Sequence, residues 1–345
     1  MTGRMELPHA HDHHVVPAEQ AAEEPLLIGR VLDGQGGARP IGWVEAQGWR
    51  PAHEDEVLWL HILRSEPGVQ EWLQSELGIS EWTAELLVSD QTRPRAYREN
   101  GSLIATLRDL NFNPGSEPED MISLQLWSDG AHLVTLRRAP QQSPNEVRDQ
   151  LERGLGPRDA GAMITQLVEL MIDHLSHAVV EINASIDRLE ADDSPAAIRE
   201  RAHEISKIRR ECLALQRHLS PQHEALEQIS REAPDWFEEH DRREIVESIA
   251  RLRRHLDDID ISKESAVVLQ DELRARSQAI SQEATYKLGV MAGVFLPLTF
   301  FTGLLGSNVD GIPLADHPLA FWGVVAACAA ITAVILGIFW RLRWL

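Results

Sequence analysis

The chemistry this sequence can do is concentrated at the end of a long apolar run, in Gly306-Ser307-Asn308. Glycine lets a helix terminate with its backbone turned outward. Asparagine then offers an amide oxygen and its own carbonyl to whatever lies on the axis. Repeated around an oligomer, these groups make a ring of neutral oxygen dipoles that can hold a hydrated cation through its waters. Taken alone, the same three residues read more simply as a C-cap glycine followed by a solvated asparagine, so context must decide. Upstream, Thr285, Leu288, Ala292, Leu296, Thr299 and Gly303 recur at a spacing of three or four. They place small or hydroxylated residues on one stripe, interrupted by two leucines. That stripe suits a pore-lining face with hydrophobic constrictions. It suits a close helix–helix interface equally well. Downstream, Asp310, Asp316 and His317 are the local ionisable groups, placed to attract cations to a pore mouth.

Other candidates carry less. The sequence contains no GxxxxGK[ST], HExxH or CxxC, so no enzyme activity is expected. Gly34-Gln35-Gly36-Gly37 is followed by Ala38-Arg39-Pro40 and no evident helix, which favours a hairpin or loop over a phosphate cradle. His9, His11, His13 and His14 cluster with Asp12 near the N-terminus. Such a tract can bind zinc or nickel weakly, but a disordered tail over 1–24 is the simpler reading. His174 and His177 are spaced i, i+3 beside Asp173; surface or interface histidines are the default there, ahead of a metal chelate. Cys212 lies on the apolar seam of its helix and reads as core.

The elements that must position the site are legible in composition. Leu288–Leu305 runs 18 residues without a charge and Leu319–Trp340 runs 22. At ~1.5 Å per residue the first reaches ~27 Å, just enough for a hydrocarbon core, and the second ~33 Å. Lys287 precedes the first span, Arg341 and Arg343 follow the second, and the connection 306–318 has no Lys or Arg. The excess of basic residues on one side predicts both termini in the cytoplasm and the acidic loop outside. Trp322, Trp340 and Trp344 stand near span ends, as interface anchors do. The chain's net charge is −21, and Lys287–Leu345 carries +1, so the first 286 residues carry −22. A domain that acidic attracts cations and repels nucleic acid. Two distant cysteines fit a reducing compartment, and the polar N-terminus shows no signal peptide.

Between Asp235 and Leu288 there is no Gly or Pro, which predicts one helix running into the first span. Ile245, Ile249, Leu252, Leu256 and Ile259 make a coiled-coil-like seam. In the same register Lys263, Ala266, Gln270, Leu273, Ser277, Ile280 and Ala284 follow, a drift towards polar and small residues. Residues 161–234 read as a helical bundle, with a first helix over Met163–Glu190 and a second from Pro195. Ahead of it, 25–160 reads as an α/β domain with strands at Leu26–Leu32, Val57–Leu63, Leu86–Ser89, Leu103–Leu107, Met121–Trp127 and His132–Arg137. Ser128-Asp129-Gly130 signals a hairpin between the last two. The resulting order is tail 1–24, α/β domain 25–160, bundle 161–234, stalk helix 235–287, span 288–305, outer loop 306–318, span 319–340 and C-terminus 341–345.

That order, with Gly306-Ser307-Asn308 closing the first span, resembles the CorA superfamily of divalent-cation transporters, whose signature is Gly-Met-Asn. Phe295-Leu296-Pro297-Leu298-Thr299-Phe300, Thr302-Gly303-Leu304 and Gly311-Ile312-Pro313 are similar to the ZntB zinc-transporter branch. Ser307 departs from the Met of the magnesium members and from the aliphatic residue common in the zinc branch. The resemblance implies a funnel-shaped homopentamer in a bacterial-type cell inner membrane, its first spans lining a central pore with Gly306, Ser307 and Asn308 as the selectivity filter. It implies transport of a divalent cation, zinc first, with coupling to a proton gradient. Zinc favours Cys, His and carboxylate ligands, and the stripe has none, so a transported zinc would pass hydrated. The implied partners are further copies of the chain, divalent ions and lipid; no cofactor and no nucleic acid are expected. The rival readings are a magnesium, cobalt or nickel channel, and a non-conducting membrane-tethered sensor or scaffold.

Overall fold

The computed structural model describes residues 24–53, 55–117, 119–191, 198–306 and 319–341. The N-terminal tail with its histidine cluster, the break between the bundle helices, most of the loop 306–318 and residues 342–345 lie outside them. The chain divides into two compact units, Met1–Asp192 with Glu204–Val267, and Asp193–His203 with Val268–Leu345.

In the first unit a seven-stranded sheet has the order β2-β1-β3-β7-β6-β5-β4. The strands are β1 (Leu26–Leu32), β2 (Ala38–Pro40), β3 (Val57–Leu63), β4 (Arg95–Glu99), β5 (Ser102–Asp109), β6 (Ile122–Ser128) and β7 (His132–Arg137). Only β3 and β7 pair in parallel. These two strands sit mid-sheet, buried on both faces, and accordingly read as nearly continuous apolar runs. One face packs Leu58, Leu60, Ile62, Val134 and Leu136 against Trp72 and Leu73 of α2 (Val69–Leu77) and Ala84 and Leu87 of α3 (Glu81–Val88). The short α1 (Trp43–Ala46) adds Ala46 to the same core. The predicted β6–β7 hairpin is present, turning on Gly130 at φ +99°. Trp236 packs where a Gly130 Cβ would stand, and its Nε1 donates to the Gly101 carbonyl at 3.2 Å.

One expectation changes here. Leu86–Ser89 is not a strand but the end of α3. Ser80 caps that helix by accepting from the Thr83 N–H at 3.3 Å, and Thr83, Ala84, Leu86 and Leu87 are buried at helical spacing. Gly34–Gly37 forms the β1–β2 turn, as expected of a hairpin. The Asp33 carboxylate takes the Gln35 and Gly37 N–H groups at 2.8 and 3.0 Å, so an anion already occupies the would-be cradle.

After α4 (Gln142–Glu152) come α5 (Ala160–Ala191) and α6 (Ile198–Arg231). The predicted α5 stripe from Ile164 to Leu189 is buried throughout. Ile205, Cys212, Leu215 and Leu219 of α6 are buried as well. Burial pushes the Cys212 thiol up to about 11, which keeps it inert. Gln222 of α6 clamps the backbone of Arg108 at the end of β5, accepting from its N–H at 2.6 Å and donating to its carbonyl at 3.0 Å.

His174 is not half of a chelate with His177, which is exposed. Its Nδ1 lies 3.1 Å from the fully buried Asp109 and its Nε2 3.0 Å from Glu146. Burial alone would lower its pKa, but the bonds to Asp109 and Glu146 and their charges outweigh it and raise it to about 10. The folded value exceeds the unfolded one near ~6.5. The pair's contribution is therefore complete below that pH and is lost as pH rises through about 10. His174→Ala strands a buried carboxylate and should cost about 3 kcal/mol of stability at pH 7. Thermal unfolding of both proteins across this pH range checks it: the gap should be full at neutral pH and close towards pH 10 and above.

One helix, α7 (Glu239–Leu305, 67 residues), runs through both units without a break, as the absence of Gly and Pro predicted. Its buried line is Ile245, Ser248, Leu252, Leu256, Ile259, Ser262, Ala266, Leu269 and Leu273. Ile249 and Lys263 of the predicted seam are half-buried beside it, and Lys263 reaches Gln216 and Asp260. The register drifts by one residue because Ser248 and Ser262 take seam positions; Ser262 donates to Asn183 of α5. Beyond Leu273 no described residue of α7 is buried. The last helix is α8 (Ala320–Arg341).

Candidate ion pathway

Both α7 and α8 contain stretches long and apolar enough to cross a membrane. Within the second unit, the end of α7 turns Val290, Gly293, Val294, Leu298, Phe301 and Leu305 to one half-buried face. The Phe339 ring of α8 stands against this face: a Cβ added to Gly293 would lie 2.9 Å from its Cζ. Glycine there makes room for the ring, as small residues do between membrane helices.

Thr285, Leu288, Ala292, Leu296, Thr299 and Gly303 are all exposed in the single chain. At ~100° per residue they centre ~180° around the helix from the half-buried face. The two leucines are 67% and 68% exposed. The stripe is thus not the surface that meets α8, and the helix–helix interface that competes with a pore face would have to be made with another copy.

The hydroxyls on and beside this face have a fixed polarity. Thr285 donates to the Ser281 carbonyl at 2.9 Å, Thr299 to Phe295 at 2.8 Å and Thr302 to Leu298 at 2.9 Å. Each hydroxyl proton is spent on its own helix, so the oxygen lone pairs remain to face outward. A row of acceptors without free protons suits a cation's hydration water. Pro297, which has no N–H, leaves the Gly293 carbonyl without its usual intrahelical donor. Sequence spacing did not reveal this donor–acceptor bias; the Thr-x-x-Thr pattern at Thr299 and Thr302 was its only visible sign.

At the end of α7, the Gly306 N–H closes the last turn on the Thr302 carbonyl at 2.9 Å. Ser307, Asn308, Asp310, Asp316 and His317 lie outside the described residues. Among the described residues, no group of three or more His, Cys, Asp or Glu side chains could hold a metal. Cys328 is half-buried on α8. The stripe therefore offers oxygen lone pairs and exposed apolar side chains.

A family model described as CorA-like Mg2+ transporter protein matches residues 54–341. The divalent cation transporter CmaX of Pseudomonas aeruginosa is 35% identical over 334 residues, 95% of this chain and 99% of that one. The zinc transport protein ZntB of Pectobacterium atrosepticum is 31% identical over 317 residues, 91% of this chain and 94% of that one. The solved structure of full-length CmaX is similar at a TM-score of 0.81 and 34% identity, over 94% of this chain and all of that one. The CorA magnesium transporter from Methanocaldococcus jannaschii is similar at a TM-score of 0.74 and 17% identity, a likeness of fold alone, over 92% of this chain.

Proposed function

The chain belongs to the CorA superfamily, on its ZntB branch, and from that premise we propose that it carries divalent cations, zinc first, across a bacterial inner membrane. Copies of the chain assemble into a homopentamer whose first spans surround a pore, with both termini and the α/β domain in the cytoplasm. One helix cannot enclose water, so the stripe on α7 becomes a pathway only when repeated around an axis. The observation that carries this reading is the stripe's position, exposed and turned away from α8.

The ion passes with its water. Threonine oxygens whose protons are committed to the helix accept from that water, and the Asn308 ring beyond Gly306 does the same at the mouth. Leu288 and Leu296 form apolar rings that stop conduction by dewetting when the pore narrows. Asp310, Asp316 and His317 raise the cation concentration outside, and the net −22 of residues 1–286 raises it inside. Zinc is favoured over magnesium by the ZntB-like residues around Pro297 and Thr302 and by the zinc-transporting relatives. Proton coupling follows from the branch.

Metal uptake into proteoliposomes, with and without a pH gradient, tests the reading. Saturable zinc uptake, faster with the gradient and resistant to excess magnesium, is expected. Uptake of magnesium, cobalt or nickel in preference would select the other channel reading, and no uptake of any would leave a sensor or scaffold. Charge focusing has its own signature: flux should fall as ionic strength rises, because the Debye length shrinks from ~10 Å at 0.1 M to ~3 Å at 1 M. Flux measured at low and high salt under one metal activity gives the comparison, and salt-independent flux would remove the acidic domain from the mechanism.

A further inference from the structure

The root of α7 holds a carboxyl pair with no counter-charge. Asp241 is 2% exposed and belongs to the first turn of the helix. Its Oδ2 accepts from the Glu238 N–H at 3.1 Å, in the manner of a capping box. Asp159 caps α5, its Oδ1 accepting from the Ala162 N–H at 2.8 Å. The two side chains meet over Gly161. A Cβ built there would lie 2.3 Å from Asp241 Oδ2 and 3.3 Å from Asp159 Oδ1, so only glycine admits both carboxylates.

The charged groups around the pair are acidic or already engaged. Glu238 and Glu244 act on Asp241 from its own helix and the residue before it, with the same sign. Glu169 of α5 faces Glu244 and Glu247. Arg251 is held by Asp173 at 2.9 Å and Glu169 at 3.5 Å. Arg242 donates to the carbonyls of Ala233, Pro234 and Phe237, and Arg158 is exposed. Burial first, then the Asp159 charge, raises the Asp241 carboxyl to about 6.

We propose that Asp241 and Asp159 form a pH-sensitive switch at the root of α7. When Asp241 holds its proton, the first turns of α5 and α7 stay docked over Gly161. When Asp241 ionises, its repulsion from the neighbouring Asp159 charge loosens that anchor. The helix so anchored is the one that continues to Leu305, so the switch makes flux depend on pH on the side of the α/β domain. The flux consequence rests on the transport reading above; the titration does not.

Two measurements on the full-length chain separate these. Infrared difference spectroscopy should show a protonated-carboxyl band that titrates near neutral-to-mildly-acid pH in the wild type. The component of that band that titrates at about 6 should be missing in Asp241→Asn, which keeps an oxygen to accept from the Glu238 N–H, while Glu211, pushed up to about 7 by burial, keeps its own component. In Asp159→Asn the midpoint of the Asp241 component should move to the acid side by about one unit, since a like charge is removed. In proteoliposomes, Asp241→Asn should hold flux at the wild type's acid-side value at every pH from 5 to 8. An absent Asp241 component, a midpoint that Asp159→Asn leaves in place, or a wild-type flux profile in Asp241→Asn would each overturn the switch. Absence of any wild-type flux beside a normal titration would strike the transport reading and leave the carboxyl pair standing as a switch on the helix root.

Discussion

Asn308→Ala should cut metal transport by ~10- to 100-fold while leaving the oligomer assembled. Hydrogen bonds to charged or strongly polarised partners contribute ~1.5–3 kcal/mol each. The net loss of one such bond to the passing ion's water, at ~1.4 kcal/mol per tenfold, gives that range. The variant keeps the backbone carbonyl and deletes only the side-chain oxygen, at a mouth and not in a core. Gly306→Val should be worse and should also harm assembly. Gly306 closes α7 on the Thr302 carbonyl, and a Cβ there would stand 3.2 Å from that carbonyl oxygen, tighter than ordinary contact before the valine methyls are added. Ser307 should tolerate substitution, because the families that the motif resembles carry Met or an aliphatic residue at that position. Zinc flux and size-exclusion profiles of the three variants, taken together, separate a filter from a cap. Normal flux in Asn308→Ala would assign Gly306-Ser307-Asn308 to capping alone.

Leu296→Ser should have the opposite effect, raising basal flux about tenfold. Leu296 is 68% exposed on the stripe, one turn from Thr299, and Leu288 is its counterpart nearer the α/β side. Wetting an apolar ring lowers the barrier to a hydrated ion, and a fall of only ~1.4 kcal/mol is tenfold in rate. The control is Leu298→Ser. Leu298 lies on the half-buried face that also holds Gly293, so Leu298→Ser should leave basal flux unchanged. Unchanged leak in a well-folded Leu296→Ser protein would take the leucines out of the gate.

Much of the architecture was legible in local pattern. The strands at Leu26–Leu32, Val57–Leu63 and His132–Arg137 match β1, β3 and β7 residue for residue, because strands inside the sheet are mostly apolar. The continuity of α7 was legible from missing helix breakers. What escaped lacks a local signature. β4 reads Arg-Ala-Tyr-Arg-Glu and lies at the sheet edge, where charge protects against further pairing and hides the strand's pattern. Leu86-Leu87-Val88 looks like a strand until Ser80 is recognised as a cap. His174 could not be assigned, since its partners lie 65 and 28 residues away in the chain. In the pathway, the stripe was legible from spacing. Which way it faces was not, because that depends on Phe339 of α8 meeting Gly293. The filter residues beyond Gly306 rest on sequence and kinship.

The central claim is that ions pass along the face of α7 that bears Thr285 to Gly303. Cysteine substitution reads that face most directly. In a Cys212→Ala, Cys328→Ala background, Thr299→Cys and Val294→Cys are reconstituted and treated with a charged, membrane-impermeant thiol reagent. Thr299 belongs to the stripe and Val294 to the face towards α8. Reagent should block zinc flux through Thr299→Cys nearly completely and leave Val294→Cys conducting. Block of Val294→Cys with Thr299→Cys untouched would place the pathway on the other side of the helix and contradict the account.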